Sequence, residues 1–327
     1  MDIIWHKEFA RSWLTQGEQG RLPHAVLLAG RRGLGKRAAA AWMASERLAI
    51  EPAALLPSYP HMAPEHPDMT WISVPEDKQA IGIEQIRELV RHLSLTSFAG
   101  GTKVAIIEPA NAMTINAANS LLKTLEEPPG DTLMILVADR VGKLPATIFS
   151  RCQRIDFAPP SEPVALQWLD GVQPGATWLE ALRVAGGAPL AAIDALANLD
   201  THVAMARDMA VLGRGEGSPI EIAARWSKID PGFVLDWLGQ QIKLAILACS
   251  AGRDRADGLA IDDSVLRRMD RRNLFCYLDI INRLRGQSGG SYNVQTTFEG
   301  LLIDWADGLG DCGLAPPMDG MELMRVK

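Results

Sequence analysis

Hydrophobic and polar positions change rhythm once along this chain, near residue 160. Before that point, short apolar runs alternate with helical stripes. The runs Ala25–Ala29, Thr70–Val74, Lys103–Ile107, Leu133–Val137 and Arg154–Phe157 have strand length. Between them, Trp5, Phe9, Trp13 and Leu14 recur at helical spacing, as do Ile83, Ile86, Leu89, Val90 and Leu93. Residues 36–49 and 117–125 read as two further helices, the second stopped by Pro128 and Pro129. The stretch 51–67, rich in proline, reads as an irregular connection. Strands alternating with helices predict a parallel five-stranded sheet covered on both faces, an α/β domain over 1–160.

Beyond Pro160 the strand signals vanish. Short helices are predicted around 164–169, 177–185 and 190–199, giving a small helical domain over 161–205. Longer helices follow. Ser218-Pro219-Ile220-Glu221 has the form of a capping box with proline at the first helical position. Asp230-Pro231 opens a helix that runs to about Cys249, and 265–284 and 294–305 give two more. Their apolar faces predict one all-helical domain over 206–327. Trp168, Trp178, Trp226, Trp237 and Trp305 fall inside these patterns and read as core. The tail from Gly308 carries little patterning.

The chemistry concentrates in residues 25–41. An apolar strand is followed by Gly30, Gly33 and Gly35, then Lys36 and an alanine-rich helix, with the spacing G-x-x-x-x-G-K. Such a loop turns backbone N–H groups toward a phosphate, and the lysine adds a point charge. The next residue should be Ser or Thr to ligate Mg²⁺, but it is Arg37. The strand before and the helix after make a chance match much rarer, while a glycine turn that merely caps a helix stays open on these residues alone.

Composition narrows the class. The chain has 327 residues, 47% hydrophobic and 22% charged, as in an ordinary globular protein. No apolar run approaches the about 20 residues of a membrane span. The N-terminus does not read as a secretory signal. The net charge of −6 argues against nucleic-acid binding through the whole surface. Arg267, Arg268, Arg271 and Arg272 form a basic run, read as a solvated bundle face because Asp270 interrupts it. Cys152, Cys249, Cys276 and Cys312 have no metal spacing and read as reduced cytosolic thiols.

Three further motifs complete the picture. Arg21-Leu22-Pro23-His24 precedes the first strand. Leu121-Leu122-Lys123-Thr124-Leu125-Glu126-Glu127-Pro128-Pro129 follows the third, and Ser150-Arg151-Cys152 follows the fourth. With the glycine loop, they give a chain that resembles the bacterial clamp-loader subunits of the AAA+ class. The resemblance covers nearly the whole chain and is strongest over 20–160. It implies a nucleotide-binding-like AAA+ P-loop domain, a small helical lid and a helical collar that joins subunits into a ring. It implies a cytoplasmic subunit of the replicative DNA polymerase III holoenzyme. Its partners would be gamma/tau and delta subunits, with the sliding clamp and primer–template DNA reached through the complex. The same resemblance makes Arg151 an arginine finger that reaches a neighbour's ATP site.

In active members of the class, a metal-binding carboxylate and a water-orienting base stand side by side after the third strand. Here those positions hold Glu108 and Pro109. The arginine that senses the terminal phosphate would fall near Leu190. With Arg37 added, the loop Gly30, Gly33, Gly35 and Lys36 reads as a degenerate phosphate cradle, holding nucleotide or phosphate weakly if at all. The competing expectation is an active AAA+ ATPase like gamma/tau. Relatives carry a cysteine-ligated zinc module between the first helix and second strand. About 45–69 here offers only His61 and His66, so no zinc is expected. Ser150 and Cys152 read as positioning the loop; the alternative, a low-pKa Cys152 nucleophile beside Arg151, has no His/Asn constellation to support it.

Overall fold

A computed structural model describes residues 1–50, 54–98, 100–139, 142, 144–251, 261, 263–266, 269–286 and 293–310. The chain divides into two compact units, Met1–Leu196 and Ala197–Lys327. Arg267, Arg268, Lys143, Cys312 and the tail beyond 310 lie outside the described residues.

The first unit is built on a five-stranded sheet. Its strands are β1 (Ala25–Ala29), β2 (Met69–Ile72), β3 (Lys103–Ile107), β4 (Thr132–Ala138) and β5 (Gln153–Asp156). They lie in the order β2-β3-β4-β1-β5, and every pair is parallel. The register pairs Ala25 with Met134 and Leu27 with Arg154. The three central strands are buried along their whole length, which is why they read as unbroken apolar runs rather than as alternation.

The pleat sorts their side chains onto two cores. Leu27, Ala105, Ile107, Met134 and Leu136 meet the apolar stripes of α3 (Ile83–Ser94) and α4 (Ile115–Glu126). Val26, Leu28, Val104, Ile106 and Ile135 meet α1 (Lys7–Glu18) and α2 (Lys36–Arg47) on the other face. The expected α/β layering is present. The edges differ by a few residues. Strand β5 starts at Gln153, and Phe157 adds one more ladder bond from its N–H to the Ala29 carbonyl (2.7 Å). Helix α4 begins at Ile115 because Thr114 Oγ1 accepts from Ala117 N (3.2 Å). Ile115 is 75% exposed, so the first residue of the helix lies off the apolar stripe that Ala117 and Ala118 begin.

After a short α5 (Ala146–Phe149) and strand β5 come α6 (Glu162–Val172), α7 (Trp178–Val184) and α8 (Pro189–Ala197). Trp168, Trp178 and Leu182 form their core, joined by Ile4, Trp5 and Tyr59 from the first part of the chain. Trp168 Nε1 donates to the Asp2 carbonyl at 2.7 Å.

The second unit is all helical: α9 (Leu199–Gly213), α10 (Pro219–Trp226), α11 (Pro231–Ala251), α12 (Asp263–Leu266), α13 (Arg271–Gly286) and α14 (Val294–Ala306). Its core holds Trp226, Trp237, Tyr277, Phe298 and Trp305. The buried polar tips are satisfied: Tyr277 OH donates to the Leu301 carbonyl (2.7 Å) and Trp305 Nε1 to that of Met209 (3.1 Å). The helix expected over 265–284 is two helices. Asp270 Oδ1 accepts from Arg272 N at 2.9 Å, so α13 starts afresh there. Arg271 and Arg272 thus open α13 rather than continue α12.

Candidate functional site

The glycine loop joins β1 to α2 at the carboxyl ends of the strands, where open parallel sheets place their sites. Close packing explains its glycines. A Cβ on Gly30 would lie 2.5 Å from the Phe157 carbonyl oxygen. Gly33 has φ +83°, and a Cβ there would lie 2.4 Å from the Ala191 nitrogen. The Gly33 carbonyl accepts from Leu190 N at 3.0 Å, so the first turn of α8 closes directly on the loop. Gly35 is the N-cap residue of α2. Where the family resemblance looked for a phosphate-sensing arginine, Leu190 offers a backbone N–H to the loop.

Two residues that sequence patterning placed only in a helical stripe or left unread hold the other side. Trp5 Nε1 (3.1 Å) and His6 Nε2 (2.8 Å) both donate to the Leu34 carbonyl. His6 is 1% exposed among Phe9, Phe157 and Trp5. Burial pushes its imidazole down to about 4, against a smaller upward pull from the Leu34 carbonyl. The folded chain therefore holds His6 neutral while the unfolded chain protonates it near its ordinary value. Stability from this group is complete above about pH 6.5 and is lost as pH falls toward about 4, by up to roughly 3 kcal/mol. His202, in the second unit, is shifted the same way to about 4 by burial. In urea denaturation followed across that pH range, His6→Phe should be less stable than wild type at pH 7. It should also lose less stability on acidification; an unchanged slope would remove His6 as a titrating group.

The two cations after the loop are internally paired. Lys36 is buried, and its Nζ donates to Asp139 Oδ1 (2.6 Å) and to the Arg31 carbonyl (2.7 Å). Asp139 is itself fixed by its N–H to Asn111 Oδ1 (2.9 Å). Arg37 Nε lies 3.1 Å from Glu108 Oε2, and its guanidinium stands 5.4 Å over the Trp71 ring. Burial raises the Glu108 carboxyl above its ordinary value, and Arg37 opposes that rise. The sequence reading singled out Glu108 but not Asp139. The available signal was an acidic residue just past the end of a central parallel strand.

The remaining motifs converge beside α4. His24 Nε2 donates to the Leu125 carbonyl at 2.8 Å, joining the segment before β1 to the end of α4. Arg151 follows α5. Its Nε donates to Glu126 Oε1 at 2.7 Å, its Nη2 to the same oxygen, and its Nη1 to the Thr147 carbonyl and Ser150 Oγ, both at 3.0 Å. Glu126, at the end of α4, is therefore the partner of Arg151. Cys152 is pushed up to about 11 by burial, which keeps the thiol protonated at neutral pH and removes the nucleophile alternative. His61 is lowered by burial and by Arg37, and His66 Nδ1 accepts from Asp68 N. Among the described residues, no group of three or more His, Cys, Asp or Glu could hold a metal ion.

Known proteins are similar to this chain over much of its length. The family model described as "DNA polymerase III, delta subunit" matches residues 5–161. "DNA polymerase III subunit delta'" of Pseudomonas aeruginosa is 32% identical over 241 residues, 69% of this chain and 72% of that protein. The chain belongs to the DNA polymerase III delta-prime family. The delta-prime subunit of Haemophilus influenzae is 31% identical over 230 residues, 68% of this chain and 70% of its own length. "DNA polymerase III subunit tau" of Bacillus subtilis is 32% identical over 159 residues, which span 48% of this chain and 28% of that protein. Among the described residues, no helix is long and apolar enough to cross a membrane.

Proposed function

We propose that this chain is a non-hydrolysing subunit of the replicative clamp loader. It assembles with gamma/tau and delta subunits in the cytoplasm, at the replisome. Through that complex it acts on the sliding clamp and on primer–template DNA. Its neighbours turn over ATP, and Arg151 serves one of their sites.

The observation that carries this reading is the internal pairing of the cradle. Phosphoryl transfer rests on positioning and on neutralising phosphate charge. Lys36, the one intact element, is committed to Asp139. Arg37 stands where a metal-binding hydroxyl is needed and is committed to Glu108. Pro109 has no acid–base group. An anion entering this loop must displace the Asp139 carboxylate, 2.6 Å from the buried Lys36 ammonium. We therefore assign no required cofactor, at most weak ATP, ADP or phosphate in the loop, and no zinc. Arg151, by contrast, stands in an intact motif outside the cradle. A gamma/tau-like ATPase is the competing reading, and Arg37 with Pro109 speaks against it.

Steady-state phosphate release by the purified chain, with and without DNA, tests the proposal. The rate should equal the background, and Lys36→Ala should not change it. Turnover that disappears in Lys36→Ala would make this an active ATPase.

A further inference from the structure

Arg151 is engaged on two sides. Glu126 Oε1 takes Nε and Nη2, while the Thr147 carbonyl and Ser150 Oγ take Nη1. A guanidinium has five N–H donors, and its strength in recognising phosphate lies in offering two of them side by side. The Nε/Nη2 edge is such a pair, and Glu126 covers it. The carboxylate comes from a different element, the last residue of α4, just before the Glu127-Pro128-Pro129 stop. Both side chains are part-exposed, 30% for Arg151 and 49% for Glu126, so an incoming anion can reach them.

We infer that Glu126 is a positioning residue that parks Arg151 and competes with a neighbour's phosphoryl group for the same edge of the guanidinium. The inference rests on the proposed finger role of Arg151. Its logic is population shift: a finger held on its own carboxylate is competent only for the fraction of time it is released. Assembly with a nucleotide-loaded neighbour supplies a more highly charged competitor, and the exchange then favours the phosphate. Without that competitor, the clasp keeps an exposed cation from binding other anions.

A double-mutant cycle in the reconstituted complex tests this. The forms compared are wild type, Glu126→Gln, Arg151→Ala and the double variant, each shown to assemble by gel filtration. The readout is ATP turnover without DNA. Glu126→Gln keeps the shape and removes the charge, so turnover should rise by up to about fivefold, the range set by a part-exposed ion pair. That rise should vanish in the Arg151→Ala background. Glu126→Asp, which keeps the charge on a shorter stem, should fall between wild type and Glu126→Gln. If Arg151→Ala lowers turnover but Glu126→Gln leaves it unchanged or lowers it, Glu126 does not hold the finger back. A rise that persists in the double variant would likewise show that Glu126 acts elsewhere. If Arg151→Ala itself changes nothing, the finger reading fails and the clasp fails with it.

Discussion

Arg151→Ala should leave the chain folded and able to assemble, yet cripple one ATP site of the complex. An arginine that stabilises charge on a transferred phosphoryl group contributes about 10³–10⁵ in rate at the site it serves. Loss at one site lowers total hydrolysis by that site's share, and clamp loading should fall with it. The structural cost is small by comparison. Arg151 lies in a turn after α5, its partner Glu126 is half exposed, and a part-exposed pair contributes up to about 1 kcal/mol. Thermal unfolding of the isolated variant should therefore resemble wild type. Arg151→Lys should restore little, because an ammonium cannot reproduce the planar fork. DNA-stimulated ATPase and loading by complexes built with each form are the measurements. Rates equal to wild type in a properly assembled Arg151→Ala complex would reduce the motif to a structural turn.

The α/β layering was legible in the sequence because the sheet is parallel and its centre is buried on both faces. Ala25–Ala29, Lys103–Ile107 and Leu133–Val137 could hardly read otherwise. Edges were harder to place. Strand β5 is mostly exposed and carries Arg154 and Asp156, which pair along one strand, so its apolar signal is thin. The break before α13 was hidden by a continuous apolar stripe and depends on a single capping carboxylate, Asp270.

The candidate site was legible only in part, for a different reason. Gly30, Gly33, Gly35, Lys36 and Arg151 sit in contiguous motifs with fixed spacing. Their partners do not. Asp139 meets Lys36 across 103 positions, Leu190 meets Gly33 from a later helix, and Glu126 meets Arg151 across 25. Periodicity carries no information about such meetings. Trp5 was misleading, because its helical spacing hid a hydrogen bond to the Leu34 carbonyl. His6 carried no pattern at all. It is followed directly by Lys7 and Glu8, so nothing set it apart from a solvated helix start.

Gly33→Ala should be the most damaging of the small substitutions in the loop. Three costs coincide there. The residue has φ +83°, where an L side chain is strained by about 1–2 kcal/mol. The added methyl would sit 2.4 Å from the Ala191 nitrogen and Cβ, and overpacking of this kind costs about 1–3 kcal/mol. If α8 moves away to relieve the clash, the Leu190 N–H to Gly33 carbonyl bond is lost, at about 1 kcal/mol. These costs overlap rather than add, because movement that relieves one creates another, and a net loss of about 3 kcal/mol is expected. Gly130→Ala is the control. Its φ is +60°, and nothing lies within 4 Å of the position its Cβ would take, so only the backbone cost applies. Urea denaturation of both variants separates the terms. Gly33→Ala should shift the midpoint well below that of Gly130→Ala, and hydrogen exchange should show new opening at the start of α8. Equal shifts in the two variants would mean that α8 does not close on the loop in solution. The loop would then be accessible to phosphate despite its paired lysine.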